Sequence, residues 1–200
     1  RVFLMYDMRF HGRGGQGAVI CATILAMALA LEGKYTLAFP RFTGQRRGGP
    51  VTAFVRVRDL ATQVPRCQVS APPCLMIMHA TLLDAARPKD VAEVLEGFQR
   101  DGLILINSSR GPEEFSLPVR ATVATVDANA IAERHGLGTP TARPVNTAML
   151  GALVRATGIV AFSSREAAIK REVPEKPEEN LAVARDAYEA VRILKEVLNA

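Results

Sequence analysis

The 200-residue sequence predicts an α/β fold, a Rossmann-like, doubly wound and mostly parallel sheet with helices on both faces and a C-terminal helical arm. Two observations support this prediction. Short apolar runs typical of buried strands alternate along the chain with longer helical patterns. A glycine-rich turn over residues 11–17 also joins the first apolar run to a long apolar helix. Because ligands of such sheets bind beyond the carboxyl ends of the strands, we expect this turn, His79 and residues 107–110 to lie at one edge.

The first half of the chain is expected to supply most of the strands. Its first helix is apolar on nearly every face, which is typical of a helix that is buried or covered by a partner. In order, the expected elements are strand 5–10, helix 17–32 ended by Gly33, strand 34–39 stopped by Pro40, loop 41–49, strand 51–57, buried strand 74–78 and a helix from His79 to about residue 98.

The sequence of the second half of the chain predicts two further strands and four helices. The expected elements are strand 102–106, strand 122–126, helix 128–135 capped by Asp127, loop 136–143, helix 146–157, a helix to residue 171 opened by a capping box at Ser163–Glu166, and a last helix over 179–198. The last helix places one apolar stripe at Leu181, Ala184, Tyr188, Val191, Leu194 and Leu198. Two prolines and four charges in 173–179 predict a linker. We therefore expect an α/β domain over 1–172, and a linker and C-terminal helix over 173–200 that pack on the domain or on a partner.

Composition narrows the function classes. The net charge of +5 fits an anionic ligand or an acidic partner, and without tryptophan the chain has no evident platform for stacking nucleic-acid bases. The apolar run 18–31 is too short to span a bilayer, and the apolar start is too short for a signal peptide. The three cysteines have no Cys-x-x-Cys spacing, so we expect free thiols in the cytoplasm and no iron–sulfur or zinc site.

The glycine turn has the letters of a dinucleotide-binding fingerprint, Gly12-x-Gly14-x-x-Gly17. A bare backbone at a helix N-terminus suits a phosphate group. The fingerprint also requires an acidic residue at the end of the second strand, where this chain has Phe39-Pro40-Arg41. An arginine there still allows NADP. The turn therefore indicates a phosphate site, a nicotinamide or flavin site, or only close packing of the helix on the strand.

A second cluster over residues 44–50 places Arg46 and Arg47 between glycines. Their guanidinium groups are suited to phosphate, to carboxylate or to an acidic partner surface, although many such loops are merely solvated. His79 and His11 are possible proton carriers, and each is more often a hydrogen-bonded structural residue. Asn146 begins a helix of small residues, where it is expected as a cap or as a polar contact at the edge of a site.

Five motifs in order resemble one family, the gamma subunit or gamma domain of the 2-oxoacid:acceptor oxidoreductases, such as pyruvate:ferredoxin oxidoreductase. The motifs are Gly12-Arg-Gly-Gly-Gln-Gly17, Glu32-Gly-Lys-Tyr35, Gln45-Arg-Arg-Gly-Gly-Pro-Val51, Asn146-Thr-Ala-Met-Leu-Gly-Ala152 and Lys176-Pro-Glu-Glu-Asn180. The resemblance covers nearly the whole chain. Gln45 departs from it, since an acidic residue or alanine is expected beside the arginine pair.

The resemblance implies a subunit of an enzyme that oxidatively decarboxylates a 2-oxoacid with coenzyme A to acyl-CoA and CO2. It implies thiamine diphosphate and magnesium between alpha and beta subunits, [4Fe-4S] clusters in a delta-type subunit, and electron transfer to ferredoxin or to an NAD-reducing subunit. The gamma subunit is then expected to close the active site and to help bind coenzyme A, without a complete active site of its own.

Coenzyme A carries phosphate groups, and the glycine turn and the arginine pair are both suited to bind phosphate. We expect Gly14, Gly15, Gln16 and Gly17 to provide backbone or amide contacts, Arg46 or Arg47 a charged contact, and Asn146 a polar one. In a competing interpretation both loops contact the alpha and beta subunits. An alternative from another class is an autonomous NADP- or flavin-binding domain.

Overall fold

One seven-stranded sheet organises the chain, for which a computed structural model describes residues 5–42, 49–59, 64–139 and 143–197. The strands are β1 (Met5–Arg13), β2 (Tyr35–Phe42), β3 (Pro50–Arg58), β4 (Cys74–Ile77), β5 (Leu103–Asn107), β6 (Ala121–Val126) and β7 (Arg192–Val197). The α-helices are α1 (Ala18–Leu31), α2 (Pro88–Leu95), α3 (Ala128–Arg134), α4 (Asn146–Thr157), α5 (Phe162–Glu172) and α6 (Pro177–Ala190). Short 3-10 helices cover Ala80–Leu83 and Pro112–Glu114.

The strand order across the sheet is β2-β3-β1-β4-β5-β6-β7. Strands β1, β4, β5 and β6 are parallel neighbours, whereas β3 is antiparallel to both β1 and β2, and β7 is antiparallel to β6. All strands except β3 and β7 therefore point the same way. The predicted mostly parallel α/β sheet with helices on both faces is confirmed, with β3 inserted between β1 and β2.

Strand β1 shows how the two faces differ. Met8 and Phe10 are fully buried in the larger core, which the sheet forms with α1, α4 and α6. Arg9 and His11 alternate with them and face α2, where a smaller core lies. Helices α4 and α6 approach so closely that a Cβ on Gly151 would lie 2.0 Å from the Ala184 carbonyl oxygen.

The prediction for the C-terminal segment is wrong beyond Ala190. Helix α6 ends there, and the chain continues as β7 along the edge of β6 instead of as a helix to residue 198. Leu194 of the predicted stripe thus lies in a strand, and Leu198 lies outside the described residues. An open sheet edge offers backbone hydrogen bonds that outweigh a helical apolar pattern.

Three predicted boundaries are also wrong. Pro40 does not stop β2, because β2 is an edge strand and an edge tolerates a residue without an N–H group. The helix expected from His79 to 98 is instead the 3-10 helix followed by α2, which starts at Pro88. Helix α5 starts at Phe162 with no side-chain cap, so the predicted capping box at Ser163 is absent.

Candidate functional site

The glycine turn between β1 and α1 depends on two left-handed residues. Gly15 has φ +99° and Gly17, which caps α1, has φ +82°. Side chains rarely adopt these angles. Around Gly15 a Cβ would meet no atom within 4 Å, whereas at Gly17 it would lie 3.0 Å from the side chain of Asn146. The turn is therefore open at Gly15 and closed against α4 at Gly17.

Gln16 holds the turn in place. Its Oε1 accepts a hydrogen bond from the Arg13 N–H (2.8 Å), and its Nε2 donates to the Met78 carbonyl (3.0 Å). Asn107 at the end of β5 donates from Nδ2 to the same carbonyl (3.0 Å) and accepts from the Ala128 N–H at the start of α3. The expectation that the turn, His79 and Asn107 share the carboxyl edge of the sheet is confirmed.

A second helix N-terminus meets the turn. The Val145 N–H, just before α4, donates to the Gln16 carbonyl (3.3 Å), and Asn146 lies directly against Gly17. The first helical hydrogen bond of α1 runs from Cys21 to Gly17, so the amides of residues 18–20 have no acceptor within the helix. Two positive dipole ends therefore converge here, which is an arrangement suited to an anion.

Asn146 and Gly14 both contribute to this arrangement. Asn146 is buried, and its Oδ1 accepts from the Thr147 N–H (2.9 Å) while no described residue accepts from its Nδ2. The Gly14 N–H donates to the Gly49 carbonyl (3.0 Å), which ties the turn to the start of β3. Arg46 and Arg47 lie outside the described residues, so their contacts stay a prediction. Gly49, two positions after Arg47, is nevertheless bonded to the turn.

Both histidines near the turn have a lowered pKa, which favours the neutral imidazole. Burial and the neighbouring Arg9 lower the pKa of His11 to about 3, and its Nε2 accepts a hydrogen bond from Arg9 Nε (3.0 Å). Burial and Arg13 lower the pKa of His79, whose Nδ1 lies 2.7 Å from the Thr81 hydroxyl. These contacts favour the structural interpretation for both residues.

Arg9 was not identified from the sequence, and it joins β1 to the end of α2 on the face of the sheet opposite α1. It is 7% exposed, and its guanidinium donates to the carbonyls of Val94 (2.8 Å) and Glu96 (2.7 Å) at the end of α2. A cation at this end complements the helix dipole and satisfies terminal carbonyls. The available signal was a charged residue between two apolar ones, Met8 and Phe10, inside a run predicted as a strand.

Several cavities lie around the sheet. One of about 210 Å³ lies beside the turn on the α2 face, where Arg13, Arg41 and Arg87 line it together with Asp90 and Glu93. A larger one of about 850 Å³ lies at the opposite edge, against Tyr6, Gly102 and Thr122 near the start of parallel strands. A third cavity of about 490 Å³, lined by Ala80, Arg110 and Phe115, also lies beyond the ends of β4 and β5. Ligands of such sheets bind at the carboxyl edge, which argues against the largest of the three, and the cavity of about 210 Å³ is the one lined by residues of β1 next to the turn.

The sheet order does not suit a dinucleotide. In the dinucleotide fold the acidic or arginine residue that reads the ribose follows the strand next to the first one. Here β3 separates β2 from β1, so Arg41 is one strand, or about 4.8 Å, further from the turn.

A family model described as pyruvate ferredoxin/flavodoxin oxidoreductase matches residues 7–190. The chain belongs to this family. The common gamma subunit of the pyruvate/ketoisovalerate oxidoreductases of Pyrococcus furiosus is 40% identical over 195 residues, which are 96% of this chain and 100% of the relative. The solved structure of pyruvate oxidoreductase subunit PORC from Thermotoga maritima has a TM-score of 0.76 at 33% identity and covers 94% of this chain and 98% of its own. The expected gamma-type oxidoreductase subunit is thus confirmed.

The fold of this family member also recurs within a longer chain. A 2-oxoglutarate:ferredoxin oxidoreductase from Magnetococcus marinus, solved with 2-oxoglutarate, coenzyme A and succinyl-CoA bound, has a TM-score of 0.65 at 17% identity. The match covers 92% of this chain and 30% of that one, and at this identity it shows the fold alone. No helix among the described residues is both long and apolar enough to cross a membrane.

Proposed function

We propose that the chain is the gamma subunit of a multi-subunit, thiamine-diphosphate-dependent 2-oxoacid oxidoreductase, and that its glycine turn binds the phosphates of coenzyme A. The supporting observation is that α1 and α4 bring their N-termini together at an exposed turn on the carboxyl edge of the sheet. The names of the relatives support the subunit assignment, and coenzyme A in a structure of the same fold supports the ligand.

The proposed reaction converts a 2-oxoacid, coenzyme A and oxidised ferredoxin or NAD to acyl-CoA, CO2 and the reduced acceptor. Thiamine diphosphate, magnesium and [4Fe-4S] clusters belong to alpha, beta and delta-type subunits. Among the described residues of this chain, no group of three His, Cys, Asp or Glu side chains is placed to hold a metal ion. The contribution of this chain is to close the active site and to position coenzyme A, whose thiol accepts the acyl group.

The residues at the turn fit a phosphate in different ways. Gly15 is exposed with open space around its α-carbon, so a ligand can approach the backbone there. Asn146 adds an amide N–H group at Gly17. The polar groups of Gly14 and Gln16 already bond within the protein, so they shape the turn, and their own ligand contacts stay predictions. Arg46 or Arg47 is proposed to provide the balancing charge.

A negative charge introduced at Gly15 tests the proposed phosphate site, with an uncharged side chain of the same size as the control. Gly15→Asp and Gly15→Asn add side chains of nearly the same size at the same left-handed backbone, and only the aspartate repels phosphate. In the reconstituted complex we expect Gly15→Asp to raise the KM for coenzyme A at least about tenfold above that of Gly15→Asn. The KM for the 2-oxoacid should be the same in both variants.

Two further measurements separate the alternatives. Arg47→Ala should likewise raise the KM for coenzyme A without changing thiamine binding. If instead the aspartate and asparagine variants have the same KM for coenzyme A, or if the aspartate variant only releases the subunit from the complex, the turn contacts a partner and not a phosphate. NADPH binding to the isolated chain, measured by calorimetry, would favour the autonomous dinucleotide-binding domain.

A further inference from the structure

A fully buried arginine without an acceptor lies in the helical layer. Arg165 of α5 is 0% exposed, and its Nε, Nη1 and Nη2 donate to no described residue. Removing a guanidinium from water is strongly unfavourable unless hydrogen bonds or an opposite charge compensate. Arg165 therefore has donors placed for an acceptor that the described part of this chain does not supply.

Aromatic rings cover this arginine. Its Cζ lies 3.9 Å from the ring centroid of Phe162 and 5.4 Å from that of Tyr188. The two rings meet edge to face with centroids 5.9 Å apart. Phe162 is 40% exposed, so one partly exposed ring separates the guanidinium from solvent. Cation–π contacts with these rings offset only part of the desolvation.

The nearest acid is already engaged by another arginine. Arg185 donates from Nε to Glu166 Oε1 (2.7 Å), and its Nη2 lies 2.7 Å from the same oxygen. Arg185 also lies 5.8 Å from the Phe162 centroid, and Arg155 lies 5.3 Å from that of Tyr188. Three guanidinium groups thus surround two rings and one carboxylate. We call Arg155, Phe162, Arg165, Arg185 and Tyr188 the Phe162 patch.

The start of α5, next to the patch, is joined to the end of α1, where an apolar residue is exposed. The Ala161 N–H, at the start of α5, donates to Glu32 Oε1 (2.6 Å), which joins the start of α5 to the end of α1. Leu31, the neighbour of Glu32, is 51% exposed. Exposed aromatic and aliphatic groups together with arginines are typical of protein interfaces.

We propose that the Phe162 patch docks another subunit of the complex, one that presents an aspartate or glutamate side chain to Arg165 when the Phe162 ring turns aside. Three arginines against the carboxylates of Glu32 and Glu166 leave one positive charge unbalanced, which favours an acidic partner. A guanidinium can bind a carboxylate through two parallel hydrogen bonds. The proposal rests on the proposed function in one respect only, which is that the partner belongs to the same assembly.

Replacing Arg165 by methionine tests the docking. Arg165→Met keeps an unbranched chain about as long as the aliphatic part of arginine and removes the charge. Arg171→Met on the same helix is the matched control because Arg171 is exposed. We expect Arg165→Met to weaken binding of this subunit to the rest of the complex by about tenfold or more. The control should bind as the wild type does, and the thermal midpoint of the isolated Arg165→Met chain should not fall.

The two proposals fail in different ways. Weaker docking with an unchanged KM for coenzyme A in the assembled complex supports the Phe162 patch whatever the glycine-turn variants show. Equal binding by Arg165→Met and the wild type overturns it. A lower thermal midpoint that accounts for the weaker binding also overturns it, because Arg165 then stabilises only this chain.

A photoreactive residue identifies the occupant directly. In the intact complex, Phe162→p-benzoylphenylalanine should cross-link to a peptide of another subunit that contains an aspartate or glutamate. A cross-link to a second copy of this chain, or the absence of any protein cross-link on irradiation of the intact complex, contradicts the proposal.

Discussion

Two buried arginines, in two regions of the molecule, differ in what satisfies them. Arg9 of β1 is 7% exposed and Arg165 of α5 is 0% exposed. Every nitrogen of the Arg9 guanidinium donates a hydrogen bond: Nε to His11, Nη1 to the Val69 carbonyl and Nη2 to two carbonyls at the end of α2. For Arg165 the described residues provide two aromatic rings and no acceptor.

The difference in hydrogen-bond acceptors separates a structural role for Arg9 from the proposed docking role for Arg165. Arg9 completes a helix end beside the glycine turn, so its interactions lie within the chain and contribute to folding. Arg165 lies under a partly exposed ring, so its donors become useful when another molecule supplies an acceptor. Burial alone therefore does not tell a structural arginine from a docking arginine, whereas the presence of acceptors does.

The largest expected effect is at Arg9. Arg9→Met removes the donors for three carbonyls, two of them in buried hydrogen bonds, and for His11, and each loss of a buried partner typically costs 1–3 kcal/mol. We expect the free energy of unfolding to fall by about 4 kcal/mol in urea denaturation. A loss below about 1 kcal/mol would mean that water replaces these hydrogen bonds, and the contrast with Arg165 would then disappear.

Gly17 is expected to show the next largest effect, since it fixes the turn that Arg9 flanks. Gly17→Ala imposes a left-handed alanine and brings its Cβ to 3.0 Å from Asn146, whereas Gly15→Ala imposes only the backbone strain. We expect losses of about 2 and about 1 kcal/mol in the free energy of unfolding. Equal losses in chemical denaturation would show that Asn146 moves aside and does not close the turn.

Much of this site was predictable from sequence, and the arginines were not. Gly15 and Gly17 are required by the local backbone, because the turn has a positive φ at both positions. The motif that begins at Asn146 likewise indicates the start of a helix. Placing Asn146 against Gly17 requires the packing of α1 and α4, which no local pattern encodes. Phe162 and Arg165 are neighbours at i and i+3 on α5, so that contact is local, but the burial of Arg165 against Tyr188 requires the packing of α5 on α6. Likewise β3 enters between β1 and β2, and β7 forms at an edge, because of pairing between distant strands.

The stability of the protein at low pH tests the buried contact between Arg9 and His11. The folded pKa of His11, about 3, lies below the ordinary value of 6.5, so the unfolded chain binds the extra proton between these values. Stability from this group is present above pH 6.5 and is lost as the pH falls towards 3.

We expect the free energy of unfolding to fall by about 1.5 kcal/mol between pH 6.5 and 5 owing to His11. His11→Gln, whose amide oxygen still accepts from Arg9, should remove most of this slope. His79→Gln is the control for the second histidine with a lowered pKa, and it should leave the His11 contribution in place. An unchanged slope in His11→Gln would assign the acid sensitivity to other groups.

The smallest effect is expected at Phe162, where a ring covers a cation. Truncating a buried phenylalanine typically costs 3–5 kcal/mol, and Phe39→Ala, whose ring is 7% exposed and lies 5.1 Å from that of Phe54, should approach that range. Phe162→Ala also loses ring contacts, but it admits water to the Arg165 guanidinium, and hydration offsets the loss. We therefore expect a fall of less than about 1 kcal/mol in the free energy of unfolding. A fall of about 3 kcal/mol or more would show that the ring and the arginine stabilise this chain by themselves, and it would remove the contrast with Arg9 on which the docking proposal depends.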